Sequence, residues 1–578
     1  MERPVFGTAV LSGRLSERVL SRLAEVLVCC GVLALFYGVI TVAGTWLGPF
    51  TPAAAISRSP AALPRYAAYS LLRIAVAYVL SLAFAIGYGY LAAYRPRAER
   101  VMIPLLDILQ SIPVLSFLPG VMLAMIALVP RSQLGVELGA ILLIFTGQVW
   151  NMAFSFYSSV KSIPRELRES ARVYRFSAWQ RFVQLELPYA AIGLVWNSMM
   201  SVAGGWFFLM ACEMFVLGAR DFRLPGLGSY LQTAASAGDT RAVVWGLAAM
   251  VGVIVLLDQL VWRPVIAWAD KFKMEQVDGG GTSGSALLDL LRRSRVLALV
   301  KRRAAAPLGE RLLLFASRRG TARETPPPSP LRIWSGRAVG VAALALTAYG
   351  VWRAALVMAA LTAPKLQQIL WGAGATFLRV VVALVLGAAW TIPVGVAIGL
   401  SPRLARLAQP LVQIAASVPA TALFPVVLLA LARLGASFSA PVVLMLLGTQ
   451  WYILFNVIAG AMAIPSDLKE AASVFRFRRA ERWRVLILPG IFPYLVTGMV
   501  TAAGGAWNAS IIAEYFHFKD HTLAATGLGA IISQATDRGD FDQLLVATAV
   551  MATAVVATNR LVWRRLYRLA ETRYKLEG

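Results

Sequence analysis

Residues Ile163–Pro188 read IPRELRESARVYRFSAWQRFVQLELP, and 301 positions later Ile464–Pro489 read IPSDLKEAASVFRFRRAERWRVLILP, identical at twelve of 26 positions. The same offset carries Gly147, Trp150, Trp206, Glu213, Gly228, Asp239 and Trp262 onto Gly448, Trp451, Trp507, Glu514, Gly529, Asp540 and Trp563. Upstream the offset is 306, taking Arg73, Pro96, Pro104, Pro113 and Pro119 onto Arg379, Pro402, Pro410, Pro419 and Pro425. The first copy therefore has five extra residues between Pro119 and Gly147. A register held over this distance marks an internal duplication of one structural unit.

Composition says what kind of unit it is. Of 578 residues, 58% are hydrophobic and 15% charged, and the mean hydropathy is +0.68. Soluble domains carry about 25% charged residues. Apolar runs long enough to cross about 30 Å of hydrocarbon fall at 24–48, 68–93, 102–129, 134–160, 190–217 and 241–268, then at 336–362, 372–400, 409–433, 437–462, 490–515 and 541–565. The expected fold is an all-α polytopic membrane protein of 12 spans in two six-helix domains, 1–269 and 336–578. Basic residues gather in alternate connections, Arg95 to Arg100 and Lys161 to Arg181 in the first half, Arg403 to Arg406 and Lys469 to Arg484 in the second. The positive-inside rule puts these connections, both termini and the 270–335 linker in the cytoplasm. An even number of spans per half makes the repeats parallel, with a pseudo-twofold axis along the membrane normal. The linker carries Gly279-Gly280-Gly281, Lys301-Arg302-Arg303 and Pro326-Pro327-Pro328, and its stretch Leu287 to Leu314 is expected either as a short basic amphipathic helix on the anionic inner leaflet or as part of a solvated tether. Net charge +26 is explained by these loops, and no nucleic-acid partner is expected; the lipid of the inner membrane is. Cys29, Cys30 and Cys212 lie in apolar runs and His517 and His521 lack a ligand-rich neighbourhood, so neither a disulfide framework nor a metal site is expected.

The duplicated loops, 161–189 and 463–490, carry the functional signal. A cytoplasmic loop has no bilayer reason to keep so much identity between copies, which points to a shared docking task. Pro164 can start a helix, good helix formers follow, and the basic and aromatic mix of Arg175, Phe176, Trp179 and Arg181 suits a partner surface. The loop resembles the EAA loop of permease subunits of binding-protein-dependent ATP-binding-cassette importers. Glu169, Ala171, Leu185, Leu187 and Pro188 match its pattern, as do Glu470, Ala471, Ala472, Leu486, Leu488 and Pro489. Ser170 replaces one alanine, and Arg175 and Arg476 stand where the family has glycine. A left-handed turn there is costly for a non-glycine residue. The stretches Gly505-Ala506-Trp507-Asn508 and Gly527-Leu528-Gly529 look most like the nitrate, sulfonate and taurine branch, particularly its duplicated permeases for anions.

The resemblance implies a MetI-like, type I importer fold. It also implies coupling helices at Glu169, Ala171, Arg175 and Pro188 and at Glu470, Ala472, Arg476 and Pro489, each seated on an ATPase. The chain has no Gly-Lys dipeptide, hence no phosphate loop, so it cannot supply the ATPase itself; as a permease subunit it is expected to be no enzyme and to bind no cofactor. Two copies of a separate ATPase would use ATP and Mg, and a periplasmic or lipid-anchored binding protein would deliver a small anion such as nitrate, bicarbonate, a sulfonate or taurine. A ferric-iron importer and a secondary transporter are the alternatives.

Polar groups within spans are expensive in hydrocarbon, so Gln148, Asn151, Asn197, Thr449 and Asn508 are candidates to face the pathway, with helix-to-helix hydrogen bonding as the alternative. Trp206 and Trp507 either line the path or pack. Arg73 with Glu213, and Arg379 with Glu514, are the only ionisable residues placed alike in both halves' spans. An ion pair is expected in each half, acting as an outer gate or a static clamp.

Overall fold

A computed structural model describes residues 55–130, 132–217, 220–272, 361–433, 440–518 and 521–573, with scattered positions between 299 and 359. The expected spans at 24–48 and, for the most part, 336–362, together with nearly all of the 270–335 linker, lie outside the described residues.

The two halves share one element order. The first comprises α1 (Leu63–Tyr94), α2 (Pro96–Ser111), α3 (Leu118–Leu128), α4 (Gln133–Ser162), α5 (Arg165–Val173), α6 (Ala178–Glu213), a hairpin of β1 (Val216–Leu217) and β2 (Arg220–Asp221), α7 (Leu227–Ser236) and α8 (Thr240–Ala269). The second repeats it as α9 (Ala363–Leu400), α10 (Pro402–Ser417), α11 (Ala420–Arg433), α12 (Ala440–Ala463), α13 (Ser466–Val474), α14 (Arg479–Ala513), β3 (Tyr515–Phe518), β4 (His521–Ala524), α15 (Leu528–Arg538) and α16 (Phe541–Ala570). Eight described helices are long and apolar enough to cross a membrane: α1, α4, α6, α8 and their counterparts α9, α12, α14 and α16.

The expected third span of each half is not one helix. Chain segment 102–129 breaks at Ile112, extended at φ −80°, ψ 129°, and 409–433 breaks at Val418, at φ −73°, ψ 118°. Each precedes a proline, Pro113 or Pro419, whose ring disfavours helical geometry in the residue before it. The same rule ends α1 at Arg95 before Pro96 and α9 at Ser401 before Pro402. The expected fifth spans end early, at Glu213 and Ala513, and the chain turns into the antiparallel hairpins. Among the described residues the helical expectation therefore holds apart from these two hairpins.

Within each half the first long helix packs on the second and the second on the third, α1 on α4 on α6 and α9 on α12 on α14. Gly395 and Gly399 on α9 allow close approach to α12: a Cβ on Gly399 would stand 2.6 Å from that of Ala461. That is the packing use of a small-xxx-small stripe. Contacts between halves come in exchanged pairs. Helix α8 meets α10 as α16 meets α2, α7 meets β3 as α15 meets β1, and α6 meets α11 as α14 meets the turn Val114–Phe117. This exchange is what a pseudo-twofold relation between the repeats produces, and it sets α6 and α14 along the seam between halves.

Candidate functional site

Two regions carry the candidate residues, at opposite ends of the long helices. The first is the pair of duplicated loops. Helices α5 and α13 start directly after Pro164 and Pro465. Ala171 and Ala472 are buried, while Glu169, Arg175, Glu470 and Arg476 are exposed. Each helix ends in a Schellman closure. Phe176 N–H donates to the Ala171 carbonyl and Arg175 N–H to that of Arg172, both at 2.9 Å; Phe477 and Arg476 donate likewise to Ala472 and Ser473, at 3.1 Å each. The closure needs a left-handed residue, and Arg175 and Arg476 supply it at φ 51° and 50°, the only non-glycine residues with positive φ among those described. The turn is thus retained despite the arginines, at about 1–2 kcal/mol each. Arg175→Gly should therefore raise the melting temperature of the purified protein slightly, whereas Arg175→Val should lower it. A fall with glycine would show that the guanidinium stabilises the fold by more than the turn strains it.

Just before each arginine the helix presents an apolar knob. Tyr174 is 75% exposed and Phe475 73%, with Val173 and Val474 beside them. Pro188 and Pro489 lie at the starts of the membrane-spanning parts of α6 and α14, so each loop is continuous with a seam helix. The two loops are braced differently. In the first half, Arg181 Nε donates to the buried Glu186 at 2.8 Å and the Tyr94 hydroxyl bonds the same carboxylate. Lys161 donates to Glu99 at 2.8 Å and Tyr157 does so at 2.6 Å, which holds the Glu99 carboxyl below its ordinary range. In the second half the corresponding positions are Leu400, Ile487, Ala405, Met462 and Ile458, all apolar, with only Arg482 kept.

The second region lies where α6 and α14 end. Arg73 Nη1 donates to Glu213 at 2.8 Å, and Arg379 Nη1 donates to Glu514 at 2.8 Å, so each expected ion pair is present. Around each carboxylate the repeats agree closely. Ser70 Oγ donates to Glu213 at 2.7 Å and accepts from Leu227 N–H at 3.0 Å; Thr376 does the same for Glu514 and Leu528, at 2.9 and 2.8 Å. Gly228 and Gly529 N–H donate to these carboxylates at 2.7 and 2.9 Å. A negative charge at the start of α7 or α15 satisfies backbone donors that the helix leaves open. A Cβ on Gly226 or Gly527 would fall on the carboxylate, so only glycine permits this approach.

The first half departs from a simple pair. Arg73 Nε and Nη2 donate to both oxygens of Glu137, at 2.6 and 2.7 Å. Sequence reasoning missed Glu137 because it looked for charges present in both copies. The signal was there, since an acidic residue inside an apolar span needs a partner.

The remaining candidates are placed as follows. Trp206 and Trp507 are buried in the core, 2% and 1% exposed. Asn197 and Asn508 donate to the carbonyls of Gly193 and Gly504 one turn earlier, and Thr449 to that of Met445. Gln148 is fully buried on α4, faces Gly205 on α6, and its amide atoms have no partner among the described residues. Tyr452 of the second half comes within van der Waals reach of a Cβ built on Gly204 of the first.

The family model for "binding-protein-dependent transport system inner membrane component" matches twice, at residues 85–261 and 391–576. A nitrate import permease of Leptolyngbya laminosa is 27% identical over 196 residues, 34% of this chain and 67% of that protein. A bicarbonate transport permease of Synechococcus elongatus is 26% identical over 196 residues, covering 34% and 68%. A taurine transport permease of Escherichia coli is 28% identical over 179 residues, covering 31% and 62%. With more than half of its length matched in two separate segments, the chain belongs to the inner-membrane permease components of binding-protein-dependent transport systems and carries the family's unit twice.

Proposed function

We propose that this chain is a fused permease subunit that forms, by itself, the path through which an ATP-driven importer moves a small anion. The observation that carries the reading is the pair of exposed loop helices. Each offers an apolar knob, Val173-Tyr174 or Val474-Phe475, flanked by exposed carboxylates and arginines, which is the composition of a docking surface. Two loops call for two copies of an ATPase, which bind ATP and Mg in this chain's stead. Because α5 and α13 lead directly into α6 and α14 on the seam, movement of the ATPases toward each other would shift the helices that line the boundary between halves. The anion class is supported by the relatives, which import nitrate, bicarbonate and taurine. A binding protein, periplasmic or lipid-anchored, would deliver the anion to the α7 and α15 end. The chain would sit in the inner membrane with 12 spans and with both termini and the loops cytoplasmic.

Proteoliposomes holding the chain and its ATPase test this. Bicarbonate-loaded or nitrate-loaded binding protein on one face should stimulate hydrolysis of ATP supplied on the face that carries the loops, with anion uptake. Stimulation by a ferric-iron binding protein instead, or uptake without the ATPase, would overturn the reading.

A further inference from the structure

The duplication offers an internal comparison of what each outer arginine holds. Arg73 uses its whole guanidinium: Nη1 serves Glu213 and the Pro225 carbonyl, and the Nε/Nη2 edge grips Glu137 through two parallel hydrogen bonds. Arg379 matches the first part only. Its Nη1 serves Glu514 and the Thr526 carbonyl, at 2.8 and 2.6 Å, while Nε and Nη2 have no partner among the described residues. The chain holds no Asp or Glu between Glu324 and Asp467, so whichever register aligns α4 with α12, nothing corresponds to Glu137. The side chain of Arg73 is 1% exposed and that of Arg379 17%. One copy thus has a closed fork and the other an open, reachable one.

We propose that the open Nε/Nη2 edge of Arg379 is a binding site for a small planar oxyanion, a carboxylate, bicarbonate or nitrate. Glu137 shows the ligand: two oxygens in a plane, each 2.6–2.7 Å from a guanidinium nitrogen. This is the bidentate geometry that arginine provides and lysine does not. The charge balance agrees. Around Arg73 two carboxylates meet one cation, around Arg379 one carboxylate neutralises it, and an arriving anion restores in the second half the arrangement built into the first. The site deepens the anion reading by naming where on the chain the anion is first held.

Phenylglyoxal, which modifies accessible guanidinium groups, with peptide mass mapping tests this on the unaltered purified chain, without ATPase or binding protein. Arg379 should be modified, and saturating formate or nitrate should slow that modification severalfold. Arg73, its fork filled, should stay unmodified throughout. Labelling of Arg379 that neither anion changes, or no labelling at all, overturns the proposal. Arg379→Lys keeps a cation for Glu514 and removes the fork, so saturable binding of radiolabelled formate should disappear; binding equal to the unaltered chain would equally overturn it. Neither measurement depends on transport, so protection at Arg379 in a chain that imports no anion would separate the site from the proposed function.

Discussion

Arg73→Gln should leave little folded protein. The substitution strands two buried carboxylates, Glu137 and Glu213, 2% and 0% exposed, on a site whose only cation among the described residues has gone. Removing one partner of a buried ion pair costs about 3–5 kcal/mol, a large part of an ordinary folding free energy. The yield of monodisperse protein in detergent and its melting temperature are the readouts. Had Arg73 a single partner, Glu213→Gln would rescue it. With the fork on Glu137, that rescue should fail, and only Glu137→Gln together with Glu213→Gln should restore part of the stability. Arg379→Gln should do less damage, because one carboxylate is stranded there and the arginine is already partly exposed. An Arg73→Gln protein that melts with the unaltered chain would refute the account of this cluster.

The second large effect belongs to the loops and is the opposite in kind, loss of function with the fold intact. Glu169 and Glu470 are exposed and take no part in the packing of α5 or α13. Glu→Lys at both should therefore change stability by no more than about 0.5 kcal/mol. At a docked interface, reversing a charged contact commonly costs about 2–5 kcal/mol, which corresponds to at least a roughly thirtyfold loss of ATPase affinity. ATP-dependent uptake should collapse while the amount of chain in the membrane stays normal. Normal uptake by the double variant would end the coupling role of these residues.

What the sequence made legible follows from which forces act locally. Hydropathy located the long helices because burial in lipid demands an unbroken apolar run, and the repeat register paired Arg73 with Glu213 because the same charges return in Arg379 and Glu514. Averaged hydropathy concealed the breaks at Ile112 and Val418, where a single proline outweighs an apolar window. The short hairpins and helices α7 and α15 were invisible for a related reason: their placement rests on Glu213 and Glu514 capping them across the chain, a long-range condition. Glu137 escaped because it belongs to one copy only. Arginine at the closure of α5 and α13 argued against a left-handed turn, yet two backbone hydrogen bonds per turn hold it there.

The unequal bracing of the two loops has a consequence for how such a chain changes over time. In a homodimeric permease every substitution appears on both sides of the axis at once, so a change that suits one face but harms the other is lost. A single chain is free of that rule. The Tyr94–Glu186–Arg181 and Glu99–Lys161 contacts were kept or acquired on one side while Leu400, Ile487, Ala405 and Met462 stand on the other, so that these particular polar braces belong to one loop and not to its counterpart. On the proposed function, ATPase subunits docked on the two loops would meet distinguishable seats, and a stroke delivered through one need not equal a stroke delivered through the other.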